Sequence, residues 1–242
     1  MNLHMKKHLK NLLLYQRWTL ASYEEVLKAE HDFYVNYLRP GMVVFDVGAN
    51  VGELTSLFAQ CVGKEGHVHS FEATRTTYEK LASTYANMQQ VTVNHLAVAD
   101  QVGYLPFHIY DEAHAEWNTL ANRPLDVKPV RIDQVPAMTI DTYCQEQQIS
   151  KIDLLKIDVE GAEYQVLLGA QAMLKAHRIH KCIFESGTTT LDMGNHPREI
   201  VRYLKELGYN IHNVIRRDPI FPGGENRSAA VFSMHVITLE AQ

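Results

Sequence analysis

Four acidic residues each stand at the end of a short apolar run. Asp46 follows Val43-Val44-Phe45, Glu72 follows Val68-His69-Ser70-Phe71, Asp158 follows Leu154-Leu155-Lys156-Ile157, and Glu185 follows Cys182-Ile183-Phe184. Just past the first acid, Gly48-Ala49-Asn50-Val51-Gly52 sets two glycines in a tight turn. Such a turn lets a ligand lie against the backbone, and the unpaired N–H groups of a following helix are aimed at it. A carboxylate at the same place suits hydroxyl or ammonium groups, not a bare phosphate.

A dinucleotide site would read G-x-G-x-x-G. Here Asn50 stands where the middle glycine should be, and the Lys-Ser/Thr of a P-loop is missing. The pattern points to a nucleoside ligand without phosphates, with S-adenosylmethionine (SAM) the leading candidate; a purely structural turn is the plain alternative. Glu72 comes 20 residues after Gly52. At that spacing an acid closing the second strand of a nucleotide-binding unit meets the ribose hydroxyls. If the four acids share one sheet edge, their charges repel, and a cationic ligand relieves them. The sulfonium and ammonium of SAM are such cations, whereas NAD and ATP bring negative charge. Asp46, Gly48, Asn50, Gly52, Glu72, Ala97 and Asp158 form the candidate cofactor set.

These residues need strands that end together and helices that follow them. Leu54, Leu57, Phe58 and Cys61 recur at helical spacing after Gly52. Thr76-Thr77-Tyr78-Glu79 reads as a capping box opening the next helix. Val91–Ala97 reads as a third strand, and Val166, Leu167, Ala170, Met173 and Leu174 as the face of one helix after Asp158. His67 and His69 share one strand face, more in keeping with a solvated face than with a metal site. A helix with Pro197 in its first turn and Gly208 past its end precedes closing strands at Tyr209–Val214 and Ala229–Ile237. Tyr104–Ile109 and Val127–Ile132 both contain proline and read as edge strands. Between them, the polar and aromatic stretch Asp111–Leu120 suits a substrate loop, with His114, Trp117 and Asn118 as candidate substrate contacts. Alternating strands and helices predict an α/β fold of Rossmann-like type, with a mainly parallel sheet covered by helices on both faces. Residues 1–40 read as an N-terminal helical cap, and 41–242 as the main domain.

The chain has 242 residues, with 46% hydrophobic and 21% charged, as expected of a globular protein. A net charge of −5 argues against nucleic-acid binding. Cys61, Cys144 and Cys182 are scattered, which favours a reducing, cytoplasmic setting and no zinc framework. No stretch approaches the length of a membrane span. The expected partner is a small-molecule substrate, and the sequence leaves room for a homo-oligomer.

From about residue 42 to 187 the chain resembles the FkbM-type family of class I SAM-dependent methyltransferases. The resemblance rests on Phe45–Gly52, Phe71-Glu72, Thr139-Ile140-Asp141-Thr142 and above all Leu155-Lys156-Ile157-Asp158-Val159-Glu160-Gly161-Ala162-Glu163. Ala73 departs from the proline that the family commonly has after the acid. The resemblance implies a seven-stranded sheet with the last strand antiparallel. It also implies methyl transfer, usually to an oxygen of a sugar or natural product.

Holding acceptor and methyl group in line supplies on the order of 7–11 kcal/mol of the barrier. A base that removes the hydroxyl proton adds roughly 10²–10⁴-fold. Asp158, Glu160 and Glu185 are the candidate catalytic residues. Glu160 and Glu163 are equally suited to complementing a helix N-terminus, and Lys156 to pairing with a carboxylate. Two further readings stand beside this one. Asp158, Glu160 and Glu185 could hold a divalent metal that binds the acceptor, or the chain could be a non-catalytic SAM- or nucleotide-binding module.

Overall fold

The computed structural model describes residues 21–111, 114, 117–121, 128–186, 189–216 and 233–239. The expected helix before residue 21, residues 229–232 of the last strand and parts of the 111–132 segment lie outside them.

The central layer is a seven-stranded sheet. Its strands are β1 (Val43–Val47), β2 (His67–Glu72), β3 (Val91–His95), β7 (Ile152–Ile157), β8 (Ile179–Ser186), β9 (Tyr209–Asn213) and β10 (Ser233–Leu239), in the order β3-β2-β1-β7-β8-β10-β9. β10 runs antiparallel to both neighbours, and the other pairings are parallel. The expected class I arrangement is therefore present, last strand included. Asp46 pairs with Ser70 and with Lys156, so β1 sits between β2 and β7 with its carboxyl end beside theirs.

Both faces of the sheet are covered, which is why β1 and β7 are apolar without alternation. Phe45, Val47, Leu155 and Ile157 face a core completed by helices α4 (Ile140–Glu146), α5 (Glu163–Leu168), α6 (Gln171–Lys175) and α8 (Pro197–Glu206). Val44 and Leu154 face the other core, where α1 (Tyr23–Tyr37) contributes Val26 and Tyr34, and α2 (Glu53–Val62) contributes Phe58, Ala59 and Val62. Helix α1 starts at a capping box. The Ser22 hydroxyl accepts from Glu25 N–H, and the Glu25 carboxylate accepts from Ser22 N–H.

Several local expectations are corrected. Helix α3 (Arg75–Tyr85) begins at Thr74, so the capping box at Thr76–Glu79 does not form. The Thr74 N–H is already taken by Glu72 Oε1 at 2.7 Å, which fixes the helix start two residues earlier. The helix expected over Val166–Leu174 is two short helices. Gly169 stands at the break: its carbonyl accepts from Asp141 N–H at 3.0 Å, and a Cβ there would lie 2.0 Å from the Ala99 carbonyl oxygen. Asp141 then starts α6 by accepting from Ala172 N–H (2.7 Å) and Met173 N–H (2.9 Å). The third strand stops at His95. Residues Ala97–Val98 form β4, which joins β5 (Gly103–Ile109) and β6 (Arg131–Met138) in a second sheet ordered β4-β6-β5. Pro106 does lie on an edge strand, but β6 is central and starts after Pro129. Among the described residues, no helix is long and apolar enough to cross a membrane.

Replacing Asp141 by Ala leaves two helix N–H groups without their acceptor, a loss worth about 1 kcal/mol. Thermal denaturation should show a melting temperature lower by roughly 2–4 °C.

Candidate functional site

Two turns meet at the carboxyl edge of the sheet. The first follows β1 and holds Gly48, Asn50 and Gly52 at φ of 75°, 48° and 94°. Gly48 N–H and Ala49 N–H both donate to the Phe71 carbonyl (3.0 and 2.9 Å). A Cβ on Gly48 would lie 1.8 Å from the Asp158 carbonyl oxygen, so only glycine lets the two turns touch. The second turn follows β7. Asp158 N–H donates to the Val47 carbonyl at 3.0 Å, and Glu160 sits at φ 54°. Glu163 Oε1 reaches back to accept from Val159 N–H (3.2 Å) and Gly161 N–H (3.0 Å), holding this turn from within.

Lys156 ties the turns together. Its ammonium donates to the Gly48 carbonyl at 2.9 Å and lies 3.2 Å from Asp46 Oδ1 and 3.7 Å from Asp158 Oδ2. Asp46 is fully buried, and its Oδ2 accepts from the Thr55 hydroxyl at 2.7 Å. Burial opposes the charge on Lys156, but Asp46 and Asp158 outweigh it and hold the ammonium above the ordinary lysine range.

An open cavity of about 790 Å³, its mouth included, lies over these turns. Phe71, Leu96, Ala97, Val98, Phe107 and Leu120 give it an apolar side, and Gly48, Asn50, Glu72, Asn118, Asp158 and Glu160 a polar one. Glu72 Oε2 accepts from Asn50 N–H at 3.0 Å, and Oε1 accepts from Thr74 N–H. A carboxylate has about four acceptor positions, so with two N–H donors and the Thr74 side chain on it Glu72 keeps acceptor capacity for a ligand hydroxyl. Burial raises the Glu72 pKa, and the N–H and side chain of Thr74 together with the Asn50 N–H work against that rise.

The Asp158, Glu160 and Glu185 carboxylates each bring one oxygen within 4.8 Å of the others. Burial, the charges of Asp158, Glu160 and Glu163, and a hydrogen bond shared with Asp158 push Glu185 well above the usual carboxylate range. Burial raises Glu163 to about 7, against its two N–H donors.

The structure brings most of the sequence candidates together. Gly48, Asn50, Glu72, Ala97, Asn118, Asp158 and Glu160 line the cavity, and Glu185 adjoins it through Asp158. Asp46 and Gly52 do not line it. Asp46 lies behind the wall with Lys156, and a Cβ on Gly52 would meet Leu81 and Tyr85 of α3 at 2.5 and 2.7 Å. The crowding of acids is thus relieved in part by the chain's own Lys156 rather than by a ligand. His114 and Trp117 lie on the loop beside Asn118, outside the lining, with ring centroids 4.4 Å apart. Sequence reasoning missed the apolar wall from Phe107 and Leu120, which carry no local signal. The expected pairing of Lys156 with a carboxylate is present, with Asp46 and Asp158 as its partners.

The methyltransferase FkbM domain family matches residues 46–211. The 31-O-demethyl-FK506 methyltransferase FkbM of Streptomyces tacrolimicus is 29% identical over 219 residues, spanning 80% of this chain and 81% of that protein. The 2-O-methyltransferase NoeI of Sinorhizobium fredii (strain NBRC 101917 / NGR234) is 26% identical over 151 residues, 58% of this chain and 62% of that one. Among solved structures, methyltransferase FkbM from Methylobacillus flagellatus matches with a TM-score of 0.51 at 16% identity, covering 96% of this chain and 60% of that chain. SMU.1697c from Streptococcus mutans, solved in complex with S-adenosylhomocysteine (SAH), matches with a TM-score of 0.51 at 9% identity, covering 90% and 98%. The fold is that of the class I SAM-dependent methyltransferases.

Two measurements check the electrostatics. Lys156→Met leaves a buried Asp46 uncompensated, so chemical denaturation should show a loss of roughly 3–5 kcal/mol, partly restored in the Asp46→Asn/Lys156→Met double variant. Glu163 carries a folded-state pKa of about 7 against an ordinary 4.5. The unfolded chain therefore releases this proton first, and stability falls as pH rises through that window, by roughly 3 kcal/mol. Glu163→Gln keeps the acceptor oxygen and should lose this fall, so its melting temperature gains on the wild type from about pH 5 to pH 7.

Proposed function

This chain belongs to the FkbM methyltransferase family, and on that footing we propose that it moves a methyl group from SAM to a hydroxyl oxygen of a sugar-like or natural-product small molecule. The observation that carries the reading is Glu72. It lies in the cavity wall beside the glycine turn, with its two oxygens fixed by backbone N–H groups and still able to accept ribose hydroxyls. The apolar side from Phe71 to Leu120 suits an adenine ring, and the Asp158 carboxylate suits the methionine ammonium. When bound, SAM supplies an electrophilic methyl group on a sulfonium. The chain's part is to hold and orient the reactants and to exclude water. Glu160 and Glu185 are suited to hydrogen-bonding acceptor hydroxyls. A carboxylate acceptor would meet like charge there, which favours a hydroxyl. The names of both relatives, a 31-O-demethyl-FK506 methyltransferase and a 2-O-methyltransferase, are in keeping with O-methylation.

A second reading rests on the three carboxylates that approach within 4.8 Å, a spacing that suits a divalent cation bridging to an acceptor diol. Turnover that survives EDTA removes it.

SAM and SAH should each raise the melting temperature, and NAD should not; equal stabilisation by NAD would sink the cofactor assignment. Glu72→Gln should weaken SAH binding by calorimetry roughly 10- to 150-fold, the worth of a charge-assisted hydrogen bond of about 1.5–3 kcal/mol. Incubation with methyl-labelled SAM and the small-molecule fraction of the source organism's extract should yield a labelled methyl ether. SAM binding with no labelled product would favour a non-catalytic module.

A further inference from the structure

We propose that Glu160 is the base that takes the proton of the hydroxyl receiving the methyl group, and that Thr119 positions it. This rests on the methyl-transfer reading above.

Glu160 is held in a backbone shape that few side chains adopt. It sits at φ 54°, in the left-handed region, where a non-glycine residue is strained unless its surroundings hold it. Here they do. Glu163 Oε1 accepts from the N–H groups on either side, Val159 at 3.2 Å and Gly161 at 3.0 Å. The Glu160 carbonyl accepts from the Thr119 hydroxyl at 2.8 Å. A Cβ on Gly161 would lie 2.5 Å from the Thr189 carbonyl oxygen, so the turn is packed from that side too. Glycine would meet the same geometry at position 160 without strain. The chain carries a carboxylate there instead, half-buried in the cavity wall. Strain of this kind, held by its surroundings at a ligand cavity, points to function.

Thr119 is itself fixed. It is fully buried, and its backbone pairs with His108 in both directions (2.8 and 3.2 Å). Its hydroxyl oxygen accepts from Ala121 N–H at 3.0 Å, and its one hydroxyl hydrogen goes to Glu160. The residues on either side, Asn118 and Leu120, line the cavity. The Thr119 hydroxyl therefore sets Glu160 against the wall that the second sheet supplies.

Three acids line the cavity, Glu72, Asp158 and Glu160, and Glu185 adjoins it through Asp158. Glu72 stands beside the glycine turn and accepts from two backbone N–H groups, which suits it to the ribose. Asp158 Oδ2 lies 3.7 Å from the Lys156 ammonium, and a neighbouring cation disfavours proton uptake. Glu185 shares a hydrogen bond with Asp158, and two carboxyl groups bond only with a proton between them, so Glu185 already holds one. Glu160 has an Asp158 oxygen within 4.8 Å, and taking up a proton relieves that repulsion. The step balances. A lone pair of the acceptor oxygen forms the C–O bond as the methyl C–S bond breaks, and the C–S electron pair stays on sulfur as the neutral thioether of SAH. The hydroxyl proton passes to a Glu160 carboxylate oxygen, which becomes a neutral carboxyl group. A strained turn whose carboxylate has no part in chemistry is the competing account.

The test measures label transfer from methyl-labelled SAM into the small-molecule fraction of the source organism's extract. Glu160→Gln should lower the rate roughly 10²-fold or more while SAH affinity stays within about twofold. Glu160→Gly should lose as much rate yet melt no lower than the wild type, because glycine adopts this φ without strain. Added sodium formate should restore part of the Glu160→Gly rate, and sodium chloride should not. Thr119→Val should lower turnover by up to about 10²-fold at unchanged KM for SAM, and Thr119→Ser should recover it. A folded Glu160→Gln enzyme at near wild-type rate overturns the base, as does a Glu160→Gly rate that formate leaves unchanged. A loss of SAH affinity in step with rate puts Glu160 on the cofactor and overturns it too. Wild-type turnover in Thr119→Val overturns the positioning role. Each of these leaves methyl transfer standing, whereas a wild-type protein that binds SAH but transfers no label overturns both.

Discussion

The ammonium of Lys156 sits where acceptors from separate parts of the chain converge: the Asp46 carboxylate at the end of β1, the Gly48 carbonyl in the first turn, and the Asp158 carboxylate at the end of β7. A carboxylate as fully buried as Asp46, with the part-exposed Asp158 carboxylate on the far side of the same ammonium, is costly unless that cation is there. With the cation present, the same repulsion becomes a clamp, since each acceptor is held by a charge that cannot leave. The network continues from Asp46 to the Thr55 hydroxyl and on to Ser70, at 2.9 Å from Thr55. Strands β1, β2 and β7 and helix α2 thus share one polar seam beneath the cavity.

Above that seam, carboxylates are held in place by the main chain. Glu72 and Glu163 each accept from two backbone N–H groups, so their orientations follow from the main chain and not from rotamer preference alone. Asn50 and Glu160 both sit at positive φ, one in each turn. A left-handed non-glycine residue is uncommon and is strained unless its surroundings hold it. For Asn50 the visible support is its own N–H donating to Glu72. For Glu160 it is the Thr119 hydroxyl donating to its carbonyl. The second sheet is joined to the site through that last bond, so the loop after β5 and the turn after β7 are set relative to each other.

The sheet and its acidic edge were legible because each strand is a short apolar run that stops at an acid. The glycine turn, the spacing to Glu72 and the Asp158 block were likewise local. What stayed hidden depended on contacts between distant residues. Thr74, not Thr76, starts its helix because Glu72 captures its N–H. The helix breaks at Gly169 because Asp141, far upstream, takes the N–H groups of Ala172 and Met173. Ala97 leaves the third strand because its partner is Ala137. Asp46 looked like a ligand contact because nothing local reveals which face of a strand end is closed; the buried lysine in β7 decides it. The apolar wall from Phe107 and Leu120 comes from a sheet that the spacing of prolines could not specify.

The contact between the two turns has a consequence for biosynthesis. Gly48 and Lys156 are 108 positions apart. At ribosomal speeds of about 5–20 residues per second, the interval between their emergence is roughly 5–20 s. Throughout it, the nascent chain carries Asp46 without the Lys156 ammonium and a glycine turn without the Asp158 carbonyl that packs against it. The amino-terminal half therefore cannot complete its own ligand cradle until Lys156 has emerged. A ribosome that stalls before Lys156 leaves a chain whose most buried acid is still waiting for its cation, and whose apolar strands are correspondingly exposed to the chaperones that meet it.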